Sequence, residues 1–261
     1  MAKAISKDEG DRRGASHKAH WQTFIARNLQ DFRTLLQDDP FKDWSGWRFP
    51  HWSVEMPLQD GAQLLSGDAP RELAEGYFRK GCLIGERLIS EKSWRRRKWC
   101  ARGYPANLAL IRRATAYCHL FPGRPLDPEA SRQAAGEITR FYADKDADDW
   151  SEFDQRDFIG VVVLLLVAKQ FDEALRLIRL GWKCPSHAAV WKHVRDIGEA
   201  LAAGSPVSRQ TRIGFAKKLE LIRKPRSVAT IPAFELHLLE QLMHSPTATL
   251  DPHSAVARMS R

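Results

Sequence analysis

Ten residues without a charge or a strong polar group, IGVVVLLLVA at 159–168, set the terms for the rest of this chain. A helix of that length rises about 15 Å, half of the roughly 30 Å of bilayer hydrocarbon, so the run cannot be a membrane span and needs apolar neighbours instead. Val161, Val162 and Val163 are β-branched and would suit a buried strand. No second stretch offers itself as a pairing partner, however, and a lone strand would leave its backbone groups unpaired. The expectation is a central helix buried on every side.

Apolar spacing elsewhere is helical as well. Trp21, Phe24, Ile25, Leu29, Phe32, Leu35 and Leu36 trace one face of a first helix, opened near Ser16 and stopped by the Asp-Asp-Pro at 38–40. The stretch DWSGWRFPHW at 43–52 breaks that period and reads as an ordered loop whose aromatics fold back onto the core. A second helix is expected from Pro70 with Asp68 as cap, and a third is opened by Pro105. Asp127-Pro128-Glu129 is a strong start signal, with a carboxylate for orphan amides, a ring that pre-sets φ, and an acid on the positive end of the dipole. Further helices follow over 158–169, 171–182, 187–203 after a Ser186 cap, 208–223 and 231–244. The fold class read from this is all-α: one domain of about nine helices packed as antiparallel hairpins, open to α-solenoid-like stacking. Residues 16–245 would form it, with flexible tails at 1–15 and 246–261.

With 43% hydrophobic residues, 9 Trp and 12 Phe, the chain can fill a sizeable core. The opening MAKAISKDEGDRRG carries cations with no apolar stretch behind them, so a secretory signal is not expected and a cytoplasmic location is. Cys82, Cys100, Cys118 and Cys184 are too dispersed for a disulfide scaffold or a CxxC metal site and read as buried free thiols.

The stretch FIGVVVLLLVAKQFDEALRLIRLGWKCP at 158–185 resembles a tetratricopeptide hairpin. QFDEA falls where that family turns; Phe158 and Leu165 fall at first-helix anchors, and Ala174, Ile178 and Gly181 at second-helix packing positions. Pro185 arrives one residue early, Val162 replaces the small first-helix residue, and no second copy recurs at the family's period. The resemblance implies an antiparallel helix pair and protein–protein interaction.

Charge is segmented along the chain. Arg79 to Arg113 holds eleven Lys or Arg against two acids, Arg176 to Arg226 twelve against three, and 144–157 seven acids against two bases. In WRRRKWCARGY at 94–104, Trp94 can anchor a helix end while Arg95, Arg96, Arg97, Lys98 and Arg102 face water, phosphates or an acidic partner. The helix-end reading is favoured, because cations complement a C-terminal dipole. In DKDADDWSEFDQRD, the acids Asp144, Asp146, Asp148, Asp149, Glu152 and Asp154 either cap the helix that follows or face a basic ligand. An EF-hand loop starting at Asp144 would need Gly and Glu where Asp149 and Gln155 stand, so calcium is not expected.

No HExxH, GxSxG, Walker or dinucleotide-binding motif occurs; the histidines have no evident partner, and Cys118 and His119, adjacent on a helix, do not form a nucleophile–base pair by themselves. No catalytic residue, cofactor or metal is therefore expected. The leading expectation is a non-enzymatic helical protein-binding module, of which an immunity protein or antitoxin occluding a cognate toxin's active site is one specific form. Nucleic-acid binding through spans 79–113 and 176–226 comes second, and an enzyme whose site only folding assembles comes third.

Overall fold

All but the last residue of the apolar run at 159–168 lies within one helix, against which five others pack. The computed structural model describes Thr23 and residues 50–66, 70–91, 104–143, 152–181, 188–222, 231–246 and 249–259. Among these are ten α-helices and no strand. They are α1 (Trp52–Ser66), α2 (Arg71–Ser90), α3 (Tyr104–Leu120), α4 (Pro128–Tyr142), α5 (Glu152–Val167), α6 (Phe171–Leu180), α7 (Ala188–Ala202), α8 (Arg209–Ile222), α9 (Ile231–His244) and α10 (Pro252–Met259). No described helix is long and apolar enough to cross a membrane.

Helix α5 meets α3, α4, α6, α7 and α9, which is why every residue from Gly160 to Val167 is buried. Consecutive helices pack on one another from α1 to α2, α2 to α3, α3 to α4 and α5 through to α8. The chain then returns: α9 lies against α5 and α1, and α10 against α9 and α1.

Helix ends follow from local chemistry. The Asp127 side chain accepts from the Glu129 amide at 2.9 Å and opens α4 as the sequence predicts. Gly123, at φ +82°, and Gly204, at φ +62°, end α3 and α7. In both ends the amide of the next residue reaches back to a carbonyl five residues earlier, Arg124 to His119 at 3.2 Å and Ser205 to Ala200 at 2.9 Å. The turn from α5 to α6 closes the same way, Gln170 to Leu165 at 2.8 Å, but with Lys169 in the left-handed position at φ 58°. Phe158, Leu165, Ala174 and Ile178 are buried in that hairpin, and Gly181 lets Phe158 and Trp191 approach.

Four differences from the sequence reading have local causes. Residues 52–66 form α1, so the loop expected over 43–52 gives way to helix at Trp52, and a helix not expected from sequence follows; Val54, Leu58 and Ala62 recur at helical spacing and are buried. Helix α2 has Pro70 at its N-cap with no side-chain cap. Helix α5 starts at Glu152, ahead of the expected Phe158, so Glu152 and Asp154 lie within it. Finally, 246–261, expected as a tail, carries α10, whose Ala255 and Val256 are buried. The expected first helix, Asp68 and Ser186 lie outside the described residues, Thr23 excepted.

A buried ion pair ties the return of the chain to its middle. Arg113 on α3 donates from Nε and Nη2 to the two carboxylate oxygens of Glu235 on α9, the second bond being 2.6 Å. The side chains are only 4% and 2% exposed. Burial opposes the Arg113 charge, but the facing carboxylate outweighs it and holds the guanidinium pKa above its ordinary value. Gly160 on α5 makes room: a Cβ there would lie 2.5 Å from Arg113 Cζ.

Candidate functional site

Helix α8 reads RQTRIGFAKKLELI, and its two faces differ sharply. Thr211, Phe215 and Leu219, spaced by four, are buried, with Phe215 and Leu219 at 1% and 2% exposure. The opposite stripe carries Arg209, Arg212, Ile213 and Lys217, all exposed. Ile213 is 47% exposed, one of few large apolar side chains so placed among the described residues.

The start of α8 is fixed by Ser208. Its Oγ accepts from the Thr211 amide at 3.1 Å and donates to Thr211 Oγ1 at 2.9 Å, so the first turn is held in one register. From behind, α7 seats the helix closely: a Cβ at Gly214 would lie 2.5 Å from His193 Cε1. Burial pulls the His193 pKa below its usual value; Asp196 opposes this, while Lys192 and Lys218 add to it. The exposed stripe is thus carried on a seated helix rather than a loop.

Its charges run against the helix that bears them. A helix N-terminus is its positive end, and α2, α4 and α6 place acids there: Glu72, Glu129, and Asp172 with Glu173. Helix α8 has no acid in its first turn and opens on Arg209 and Arg212. Some exposed arginines on other helices have carboxylates one turn away, as in Arg71–Glu75, Arg87–Glu91, Arg132–Glu129 and Arg176–Glu173, although Arg79, Arg140 and Arg179 pair with none among the described residues. Among the described residues, Arg209, Arg212 and Lys217 have none. The stripe therefore concentrates positive potential around an apolar side chain, an arrangement suited to an anionic surface with an apolar centre.

A concavity lies between α6 and α7, with a volume of about 380 Å³. Leu175, Ile178, Ala202 and Ala203 line it together with Asp172, Arg179 and Glu199. Its mixed charges select no sign of ligand.

Of the residues singled out from sequence, Trp94, Arg95, Arg96, Arg97, Lys98 and Arg102 lie outside the described residues, as do Asp144, Asp146, Asp148 and Asp149. Glu152 and Asp154 are described only as backbone of α5. Two cations of the basic span 79–113 are engaged inside the protein, Arg113 with Glu235 and Arg112 with Glu137 at 3.1 Å. In the span 176–226, Arg176 meets Glu173, and Arg195 meets Asp196 at 3.2 Å. Net charge over a span thus overstates what is free, and the signal it missed is the phase of α8, readable once Ser208 is taken as its cap. Three histidines do have partners: buried His237 lies 3.3 Å from Glu240, His51 lies 2.7 Å from Asn107, and His119 contacts Cys82 and Glu86 across two helices. Among the described residues, no group of three or more His, Cys, Asp or Glu side chains is placed to hold a metal ion.

A scan against protein-family models and searches of curated proteins and of solved structures find no match to this chain.

Proposed function

We propose that this chain is a non-enzymatic helical binding protein that presents α8 to an acidic surface of another protein. One observation carries the reading: Ile213 sits exposed among Arg209, Arg212 and Lys217, which have no internal partner among the described residues and oppose the dipole of their own helix. Cations of this kind steer encounter and set register, while an apolar side chain among them gains from being covered. Phosphate backbones reward the cations alone, so Ile213 favours a protein over a nucleic acid. In the toxin-neutralising form of this function, the helix would cover an acidic active site and act by occlusion.

The test uses the full chain as bait in nuclease-treated extract of its source cells, beside Arg209→Glu/Arg212→Glu and Ile213→Ala forms. The expected result is one acidic protein recovered stoichiometrically by the parent and lost with both variants. Equal recovery by all three removes α8 from the interface. If nuclease abolishes recovery, and the purified parent binds random duplex with affinity falling steeply as salt rises, the partner is nucleic acid instead.

A further inference from the structure

Away from α8, two thiols, an imidazole and a carboxylate meet where α2 crosses α3. Cys82 Sγ lies 3.5 Å from His119 Nδ1, and His119 Nε2 lies 3.0 Å from Glu86 Oε1. Cys118, next to His119 in the chain, reaches the same crossing, its thiol close enough to bear on the acidity of Cys82. Glycine makes this closeness possible. A Cβ at Gly81 would lie 2.5 Å from Cys118 Sγ, and one at Gly85 would overlap Thr115, so α2 and α3 approach as side chains there would forbid.

The four groups differ in access. Cys118 is fully buried, Cys82 is 8% exposed, and the His119 and Glu86 side chains are 23% and 55% exposed. Hydrogen bonding from Cys118, against the cost of burial and with help from the His119 hydrogen bond and charge, brings the Cys82 thiol down to about 6. Glu86 opposes this, while Cys118 is pushed well above its ordinary value, first by burial and then by Cys82. The His119 pKa is raised, first by the hydrogen bond to Cys82 and also by the charges of Cys82 and Glu86, against burial and Arg124. The groups facing the pair are thus Glu86 from α2, Cys118 and His119 from α3, and Arg124 beyond its end, while α1 meets Gly81 with Pro57. Arg124 Nη1 is 3.4 Å from the same His119 Nδ1. It can donate there only while that nitrogen is unprotonated; being exposed, it can turn away when the proton arrives.

Acyl transfer does not suit this geometry. Cys82 stands in the interior of α2, where backbone N–H groups are bonded within the helix and none is left to hold an oxyanion. Two thiols at one helix crossing, Cys82 reached only through its 8% exposure and Cys118 sealed, suit oxidation by a small molecule instead. We propose that Cys82 reacts with small hydroperoxides and that Cys118 resolves the product as an intramolecular Cys82–Cys118 disulfide, with His119, held by Glu86, as proton carrier. In the first step the Cys82 thiolate attacks the terminal peroxide oxygen. An S–O bond forms, the O–O bond breaks, and the departing alkoxide takes the His119 proton and leaves as alcohol, or as water from hydrogen peroxide. Cys82 is oxidised by two electrons to the sulfenic acid and the peroxide is reduced. Cys118 sulfur then attacks Cys82 Sγ; the S–S bond forms, the S–O bond breaks, and the hydroxyl leaves as water with the Cys118 thiol proton.

The reduced full chain is treated with one equivalent of hydrogen peroxide, alkylated and mapped by tryptic mass spectrometry. Cys82 and Cys118 are expected to lose alkylation together and to appear as one linked peptide, while Cys118→Ser leaves a Cys82 sulfenic acid that dimedone captures. Cys82 alkylation in the untreated chain is expected to rise with pH around 6, and His119→Gln to slow it about tenfold at pH 7. Peroxide consumed at Cys100 or Cys184 while Cys82 and Cys118 stay reduced overturns the proposal, as does Cys82 passing to the sulfinic acid with Cys118 still free. Both outcomes are read on the parent chain, so failure of a variant to fold does not shield the proposal.

Discussion

Replacing Glu235 with leucine is the most demanding single change the fold offers. Its carboxylate is 2% exposed and accepts from Nε and Nη2 of the Arg113 guanidinium, itself 4% exposed, across 122 residues of sequence. An isobutyl side chain in its place would leave that cation buried without its two hydrogen bonds, favoured only by the weaker charge of Glu55 and by Tyr117. Breaking one side of a buried pair costs about 3–5 kcal/mol, roughly a third to a half of a typical domain's 5–15 kcal/mol. At roughly 2–4 °C per kcal/mol for a chain of this size, the thermal midpoint should fall by about 6–20 °C. The double variant Arg113→Met/Glu235→Leu removes both charges and their desolvation cost, and should recover most or all of that loss. Thermal melts followed by circular dichroism at one protein concentration, with urea titration for the free energy, give the full cycle. A midpoint for Glu235→Leu within about 2 °C of the parent would mean that water reaches Arg113, refuting the sealed α3–α9 contact.

Other consequences follow from close packing and from charge. Gly85→Ala should destabilise by about 1–3 kcal/mol despite alanine's better helix propensity, because the new methyl would lie 2.9 Å from Thr115 Cβ and overlap its hydroxyl. Denaturant titration should find partial rescue by Thr115→Ala. Ala174→Gly should cost about 1 kcal/mol from propensity alone, and somewhat more because Ala174 is fully buried; an unchanged urea midpoint would misplace the α5–α6 hairpin. His193 titrates lower when folded than its ordinary 6.5, so the unfolded chain binds more protons and stability must fall as pH drops through that window. Melts of His193→Gln between pH 7 and 5 should therefore show a shallower loss than the parent.

The fold was legible where one local cause decides each element. The apolar run at 159–168 demanded a buried centre; Asp127-Pro128 and Ser208 marked starts that their hydrogen bonds bear out. The same Asp-Pro signal recurs at 251–252, where Asp251 accepts from the amides of His253 and Ser254 at 3.0 and 3.2 Å and opens α10. Reading the region as a tail overlooked it. Helix α1 was not read from the sequence; it forms despite Pro57, a local breaker outweighed by burial of Val54 and Leu58 against neighbours far along the chain. The site was less legible because it depends on register between helices. Cys82 and Glu86 lie one turn apart on α2, but only the α2–α3 crossing brings His119 between them. Composition likewise counted Arg112 and Arg113 with the surface, although partners on α4 and α9 take them inside.

The thermal midpoint of Arg209→Glu/Arg212→Glu tests most directly whether the α8 cations are there for a partner. Acids at the helix start complement its dipole by about 0.3–1 kcal/mol each, so the midpoint should hold or rise by a few degrees. A fall of several degrees would show both arginines bound into the fold and contradict the account.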